Sequence, residues 1–210
     1  MDVLSSLVSF LRLRGDLYGR LVLAAPFNLR LPSEVGHYLL VLSGRVRLAM
    51  SGTEHVLVPS DFVFIPSSDS FSLLSDTPDR VPVRDFTEDE GRAYQQRGII
   101  RTEGDEKQGC ELLSGCFHFA PHEIDLLIDQ MSAPLIHNIN ANNSAPWLSS
   151  VFDVINSEMS TARPGSFSIV DRMLETMLIE ALRHRLQASS VGSASWLRAL
   201  QDQRIGRVLH

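Results

Sequence analysis

Residues 37–66 read HYLLVLSGRVRLAMSGTEHVLVPSDFVFIP. Four short runs rich in Val, Ile, Leu and Phe follow one another here, at 38–42, 46–50, 56–58 and 62–65. Turn signals separate them: Ser43-Gly44, Ser51-Gly52, then Pro59-Ser60-Asp61. Runs this short, with turns this close, leave no room for crossover helices. They predict antiparallel hairpins of a barrel or sandwich rather than βαβ units. Alternation along each run assigns its faces. Val46, Leu48 and Met50 point inward while Arg45 and Arg47 face solvent, and His37, Leu39 and Val41 share one face.

Working outward, a further β-type run lies at 21–25 and another at 110–119. The stretch 76–108 holds nine acidic and six basic residues with little apolar periodicity. It reads as a long polar loop that covers the barrel. Upstream, Asp2 caps a short helix with Leu4, Leu7, Val8 and Leu11 on one face, and Gly15 ends it. Beyond Pro121 the period turns helical. Ile124, Leu127, Ile128 and Met131 form one face; Trp147, Val151, Ile155 and Met159 form a second. A third helix opens at Pro164-Gly165-Ser166, with Ser166 as its N-cap. Ile169, Val170, Met173, Leu174, Met177, Leu178, Ala181 and Leu182 give it a stripe wide enough for two neighbours, hence a self-association surface. Residues 187–195 have linker composition, and a last helix starts at Trp196. The organisation is mainly β with α: a barrel over 1–120, a helical dimerisation segment over 121–188, and a linker with one further helix over 189–210.

Composition narrows the function. The chain has 210 residues, 44% hydrophobic and 21% charged, which suits a globular protein with a real core. Its longest apolar stretches, 39–42 and 62–65, cannot span a bilayer, so no membrane role is expected. Only two cysteines, Cys110 and Cys116, are present, which fits a reducing cytoplasm. The net charge of −6 argues against this chain gripping nucleic acid by itself.

No Ser-His-Asp pattern, phosphate-cradling glycine loop, CxxC pair or HExxH occurs, so no catalytic residue and no cofactor is assigned. The β-region is similar in skeleton to the two cupin motifs, which implies a cupin-like, double-stranded β-helix barrel. Anchored on Gly44, the first motif puts His37 at its glutamate position, with Leu31 and Ser33 near its two histidine positions. In the second, Ser60, Pro66, Ser68, Phe71 and Ser75 fill the frame in order. Leu, Ser and Phe at three of four ligand places leave no coordination sphere, so no metal is expected. His37 either points into the barrel to meet an effector or is a core histidine satisfied by a neighbour. Arg30, His37, Leu39 and Phe71 are the candidate ligand-binding set; Ile169, Met173, Leu174, Met177, Leu178 and Leu182 are the candidate dimerisation set. Cys110, Cys116 and His118 share parity, but the two cysteines stand about 20 Å apart on one straight strand, which makes them buried structural residues rather than a metal or redox site.

The last residues carry a second resemblance. Trp196-Leu197-Arg198-Ala199-Leu200, followed by Asp202-Gln203-Arg204-Ile205-Gly206-Arg207-Val208-Leu209-His210, is similar to the segment that opens the DNA-binding module in one branch of AraC-type regulators. Gln203 stands where that pattern has Pro, and Val208 where it has Ala. Upstream, Leu11-Arg12-Leu13-Arg14-Gly15, Gly19-Arg20, Gly115-Cys116-Phe117-His118-Phe119 and Arg163-Pro164-Gly165-Ser166 resemble the same branch's sensor domain in order and spacing. The resemblance implies a barrel that binds a small-molecule effector, helices that form a homodimer, and DNA contacted only through a following helix-turn-helix domain that lies outside this sequence. The competing readings are a cupin enzyme, isomerase or dioxygenase, and a dimerisation scaffold without effector.

Overall fold

The computed structural model describes residues 13–31, 36–66, 70–79, 81–87, 89–90, 98–119, 133–141, 144–161 and 163–188, without the side chains of 186 and 188. The first strands are β1 (Arg14–Ala25), β2 (Asn28–Leu31), β3 (His37–Gly44), β4 (Val46–Met50), β5 (Thr53–Leu57), β6 (Asp61–Ile65) and β7 (Phe71–Ser75); β3, β4 and β6 fall on the expected runs, β1 and β5 begin earlier than theirs, and β2 and β7 match no expected run. They are followed by β8 (Arg84–Asp85), β9 (Ile99–Arg101), β10 (Asp105–His118), β11 (Leu135–Asn138), α1 (Trp147–Thr161) and α2 (Ser166–Ala188). One sheet runs β11-β6-β3-β10-β1-β9 and the other β5-β4-β7-β2-β8. Neighbours are antiparallel, except that β9 joins β1 and β8 joins β2 in parallel.

Alternation along the shared sheet divides the core in two. Leu39, Val41, Val63, Ile65, Leu21, Leu23 and Leu112 face the second sheet and pack with Leu29, Leu31, Val46, Leu48, Phe71 and Leu73. The residues between them, Tyr38, Leu40, Phe62, Phe64, Leu113 and Phe117, face the other way and meet α1 and α2. Every turn of that series reverses through a left-handed residue, Gly44, Ser51 with Gly52, and Ser60. Gly44 is needed for space as well: a Cβ there would sit 2.2 Å from the Gly109 carbonyl oxygen. Gly19 follows a bulge in β1 at φ 139°, and the Gly98 carbonyl that accepts from Arg20 N–H at 2.7 Å leaves no room for a side chain on it.

The structure departs from the sequence reading at several places. Residues 76–108 are not one loop: they supply β8 and β9, edge strands too short to register a period, and the polar start of β10. Gly15 does not end a helix but lies in β1 opposite Phe117. Within the segment read as helical, β11 pairs with β6 and extends the sheet. The buried face of α1 is centred on Leu148 and Ile155, with Trp147 exposed. Ser166 does not cap its own helix. Its hydroxyl donates to Glu158 Oε2 at 2.7 Å, while the Gly165 carbonyl accepts from Ile169 N–H. The helices read at 2–11 and 124–131, and the linker and helix beyond 188, lie outside the described residues.

Candidate functional site

His37 opens β3 on the face that looks at the second sheet, and it is 3% exposed. Its strand neighbours are Ile65 on β6 and Cys116 on β10. The imidazole Nε2 shares a 3.0 Å hydrogen bond with Ser114 Oγ, the diagonal neighbour on β10. Nδ1 is buried with no partner among the described residues. From the opposite sheet, Phe71 sets its ring edge-on to the imidazole, centroids 4.9 Å apart. Tyr18, raised by the β1 bulge, stands at 6.3 Å in the same T-shaped manner. Burial pushes the His37 pKa down from 6.5 to about 4, so the ring is neutral at physiological pH.

Of the four residues assigned to ligand binding, the structure brings three together. His37, Leu39 and Phe71 meet between the sheets, with Leu39 fully buried one step along β3. Arg30 does not join them. Leu29 and Leu31 take the inward positions of β2, so Arg30 points outward and pairs with Asp85 at 3.4 Å. Leu31, at a cupin ligand position, is buried in the inter-sheet core, while Ser33 and Ser68 lie outside the described residues. A cupin fold implies a metal, but the residues that face His37 here, Phe71 and Leu39 with Ser114 alongside, do not fit one. Among the described residues no three His, Cys, Asp or Glu come together as a metal would need. Sequence reading passed over Ser114 and Tyr18. Ser114 shares the parity of Cys110 and Cys116, and that was the available signal; Tyr18 depends on a bulge that no pattern announces.

The cysteine set separates as the strand spacing requires. Neither cysteine forms a disulfide and both are buried, and β10 passes straight through 114–115 without folding back. Burial pushes the Cys110 thiol up to about 12. His118 has run past the core and lies in solvent 3.5 Å from Asp16. Arg47 also differs from expectation. It leaves the core as alternation demands, yet lies along the sheet and donates to the Ser75 and Thr77 carbonyls.

The apolar stripe on α2 is used within the chain. Leu174, Met177, Leu178 and Leu182 are buried against the sheet, and Met173 packs at the margin of that cluster. Ile169, at 40% exposed, is the one member of the six that remains open to solvent, beside Phe167 at 46%. The stripe therefore needs no second copy to cover it: one of its two expected neighbours is the chain's own sheet and the other is α1. Two carboxylates on the same helix grip β1, Asp171 Oδ1 accepting from Leu17 N–H at 2.9 Å and Glu175 Oε1 from Gly15 N–H at 2.6 Å.

Comparison with known proteins adds the following. A family model described as Cupin matches residues 2–187. Among solved structures, the chain is similar to a lysine-to-alanine variant of apo ToxT from Vibrio cholerae, at 9% identity and a TM-score of 0.36, over 90% of this chain. The chain spans 60% of the length of that ToxT chain. No curated protein matches the sequence.

Proposed function

The chain belongs to the cupin family, and we propose that within it the chain is the effector-sensing part of an AraC-type transcription regulator rather than an enzyme. The observation that carries this reading is a buried polar pair, His37 and Ser114, set beside Tyr18, Phe71 and Leu39 between the sheets. Such a place recognises one polar group on a small molecule. A cupin isomerase or dioxygenase works with a ligand set or an acid–base pair inside the barrel. Leu31, Ser33 and Phe71 occupy three of the four ligand places here. The motifs ending in Asp202-Gln203-Arg204-Ile205-Gly206 supply the regulatory half of the reading. The effector shifts the arrangement of a homodimer, and a following domain contacts DNA in the cytoplasm.

Thermal shift against a panel of small organic molecules tests the sensor role, because a ligand that binds the folded state alone raises its stability. Hits lost in Phe71→Trp support the reading; turnover of a hit by the chain overturns it. For the homodimer, the surface left by the structure is the Phe167 and Ile169 face of α2, so the informative change is Ile169→Asp rather than one in the buried Leu178. Sedimentation should show a dimer for the parent chain and monomer for Ile169→Asp. A parent chain that stays monomeric at tens of micromolar sinks the dimer.

A further inference from the structure

Charge is distributed unevenly between the two halves of the core. Glu158 and Glu180 are buried in the helix layer, where Arg163 and Arg183 pair with them. On the inter-sheet side Asp61 lies at the far end of β6 from Ile65, bound to Val58 N–H and the Asn138 amide. Around His37 the described residues carry no charge at all. Arg30 and Arg47 leave by the outer face, and the imidazole is itself neutral. A buried polar atom without a partner loses the hydrogen bond it made to water in the unfolded chain, so His37 Nδ1 marks a place for a hydrogen-bonding group.

Resting on the sensor reading above, we propose that this site takes an uncharged organic molecule with an aromatic body and a single hydroxyl, and discriminates against carboxylates. The hydroxyl follows from tautomerism. If His37 Nε2–H donates to Ser114 Oγ, Nδ1 is an acceptor; if Ser114 donates to Nε2, Nδ1–H is a donor. A hydroxyl answers either state, whereas a carboxylate can only accept. A carboxylate is also stripped of water there with no cation among the described residues to meet it, which is the more expensive half of the discrimination. The aromatic body follows from Phe71 and Tyr18, whose edge-on rings flank the imidazole.

Calorimetric titration of the 210-residue chain at neutral pH with phenol, benzyl alcohol, toluene and benzoate tests this. The two hydroxyl compounds should bind on the order of tenfold or more tighter than benzoate and than toluene. His37→Leu should abolish their advantage over toluene. Benzoate binding as well as benzyl alcohol, with loss in Phe71→Trp, overturns the charge rule but leaves a site between the sheets. Hydroxyl compounds that bind equally to His37→Leu and Phe71→Trp overturn the site itself, and so does a panel in which nothing binds. If His37→Leu fails to fold, nitrogen NMR of the parent imidazole decides the matter. Phenol should move the Nδ1 resonance without protonating the ring, and an unmoved resonance in the presence of bound phenol refutes the contact.

Discussion

β3 alternates between two interiors. His37, Leu39 and Val41 look into the space between the sheets, and Tyr38 and Leu40 look at the helices. The helix-side interior is stitched by charge: Asp171 and Glu175 hold β1, Glu158 holds Ser166 and Arg163, and Glu180 meets Arg183. The inter-sheet interior has aliphatic and aromatic packing and, beside His37, one hydrogen bond with one imidazole nitrogen left over. The difference teaches that one strand can present two chemically unlike faces, one set among charged pairs and the other among neutral packing. The helix face carries ion pairs and carboxylate caps, while the other face, beside His37, keeps an unmet imidazole nitrogen.

The largest effect that would test this division comes from the helix side. Phe117 is the ring that Tyr38, Phe62 and Phe64 all approach, with centroids 4.7, 6.4 and 6.0 Å away. Phe117→Ala should destabilise the chain by about 3–5 kcal/mol in denaturant unfolding. A loss below about 1 kcal/mol would mean that the helix layer is not the main source of stability.

The second effect is acid sensitivity, and it separates the two interiors by their histidines. His37 falls from its ordinary 6.5 to about 4 on folding. Below pH 6.5 the unfolded chain therefore takes the proton first, so stability is full above that pH and drains as pH falls toward 4, by on the order of 3 kcal/mol. His137, on β11, is lowered too, by burial and then by His184 on α2, whose ring lies 4.9 Å away. Glu180 and Asp61 pull it back up. His37→Leu should flatten the stability profile between pH 6.5 and 4 more than His137→Leu does. Equal flattening would mean that the inter-sheet face is no more hostile to charge than the helix face.

Much of this was legible in the residues, and the reasons are specific. Alternation over 46–50 placed Val46, Leu48 and Met50 inside because a strand with one buried face must have period two. The motif frame sent His37 inward, and its face companion Leu39 followed. Arg30 was misplaced because its register rests on Leu29 and Leu31, which the motif does not fix. Width of the α2 stripe was visible, but not what covers it. A helix that packs on its own sheet and on α1 shows the same pattern as one that packs on a second copy. Ser114 offered only its parity with Cys110 and Cys116, and Tyr18 offered no signal. Their role comes from pairing across strands distant in sequence, with Ser114 lying 77 residues from His37.

The smallest effect concerns how α2 holds the sheet. β9 pairs with β1 only from Arg20 to Val22, so among the described residues the first part of β1 has no strand on that side. Its N–H groups at Gly15 and Leu17 meet Glu175 and Asp171 instead. The helix thus covers an otherwise open strand edge with side-chain acceptors, one of the ways an exposed edge is made safe. Only an acceptor oxygen is needed, because burial has already raised the pKa of Asp171, opposing the charge there. Asp171→Asn should therefore leave stability within about 0.5 kcal/mol, whereas Asp171→Leu strands the Leu17 amide and should cost about 1–3 kcal/mol. Hydrogen exchange gives the local readout: the Leu17 amide should open faster in Asp171→Leu, while Leu39 and Leu112, between the sheets, keep their protection. If Asp171→Asn proves as damaging as Asp171→Leu, the carboxylate holds β1 by its charge. The helix-side interior would then depend on charge even at its edge, and the contrast with the neutral space around His37 would be sharper than geometry alone requires.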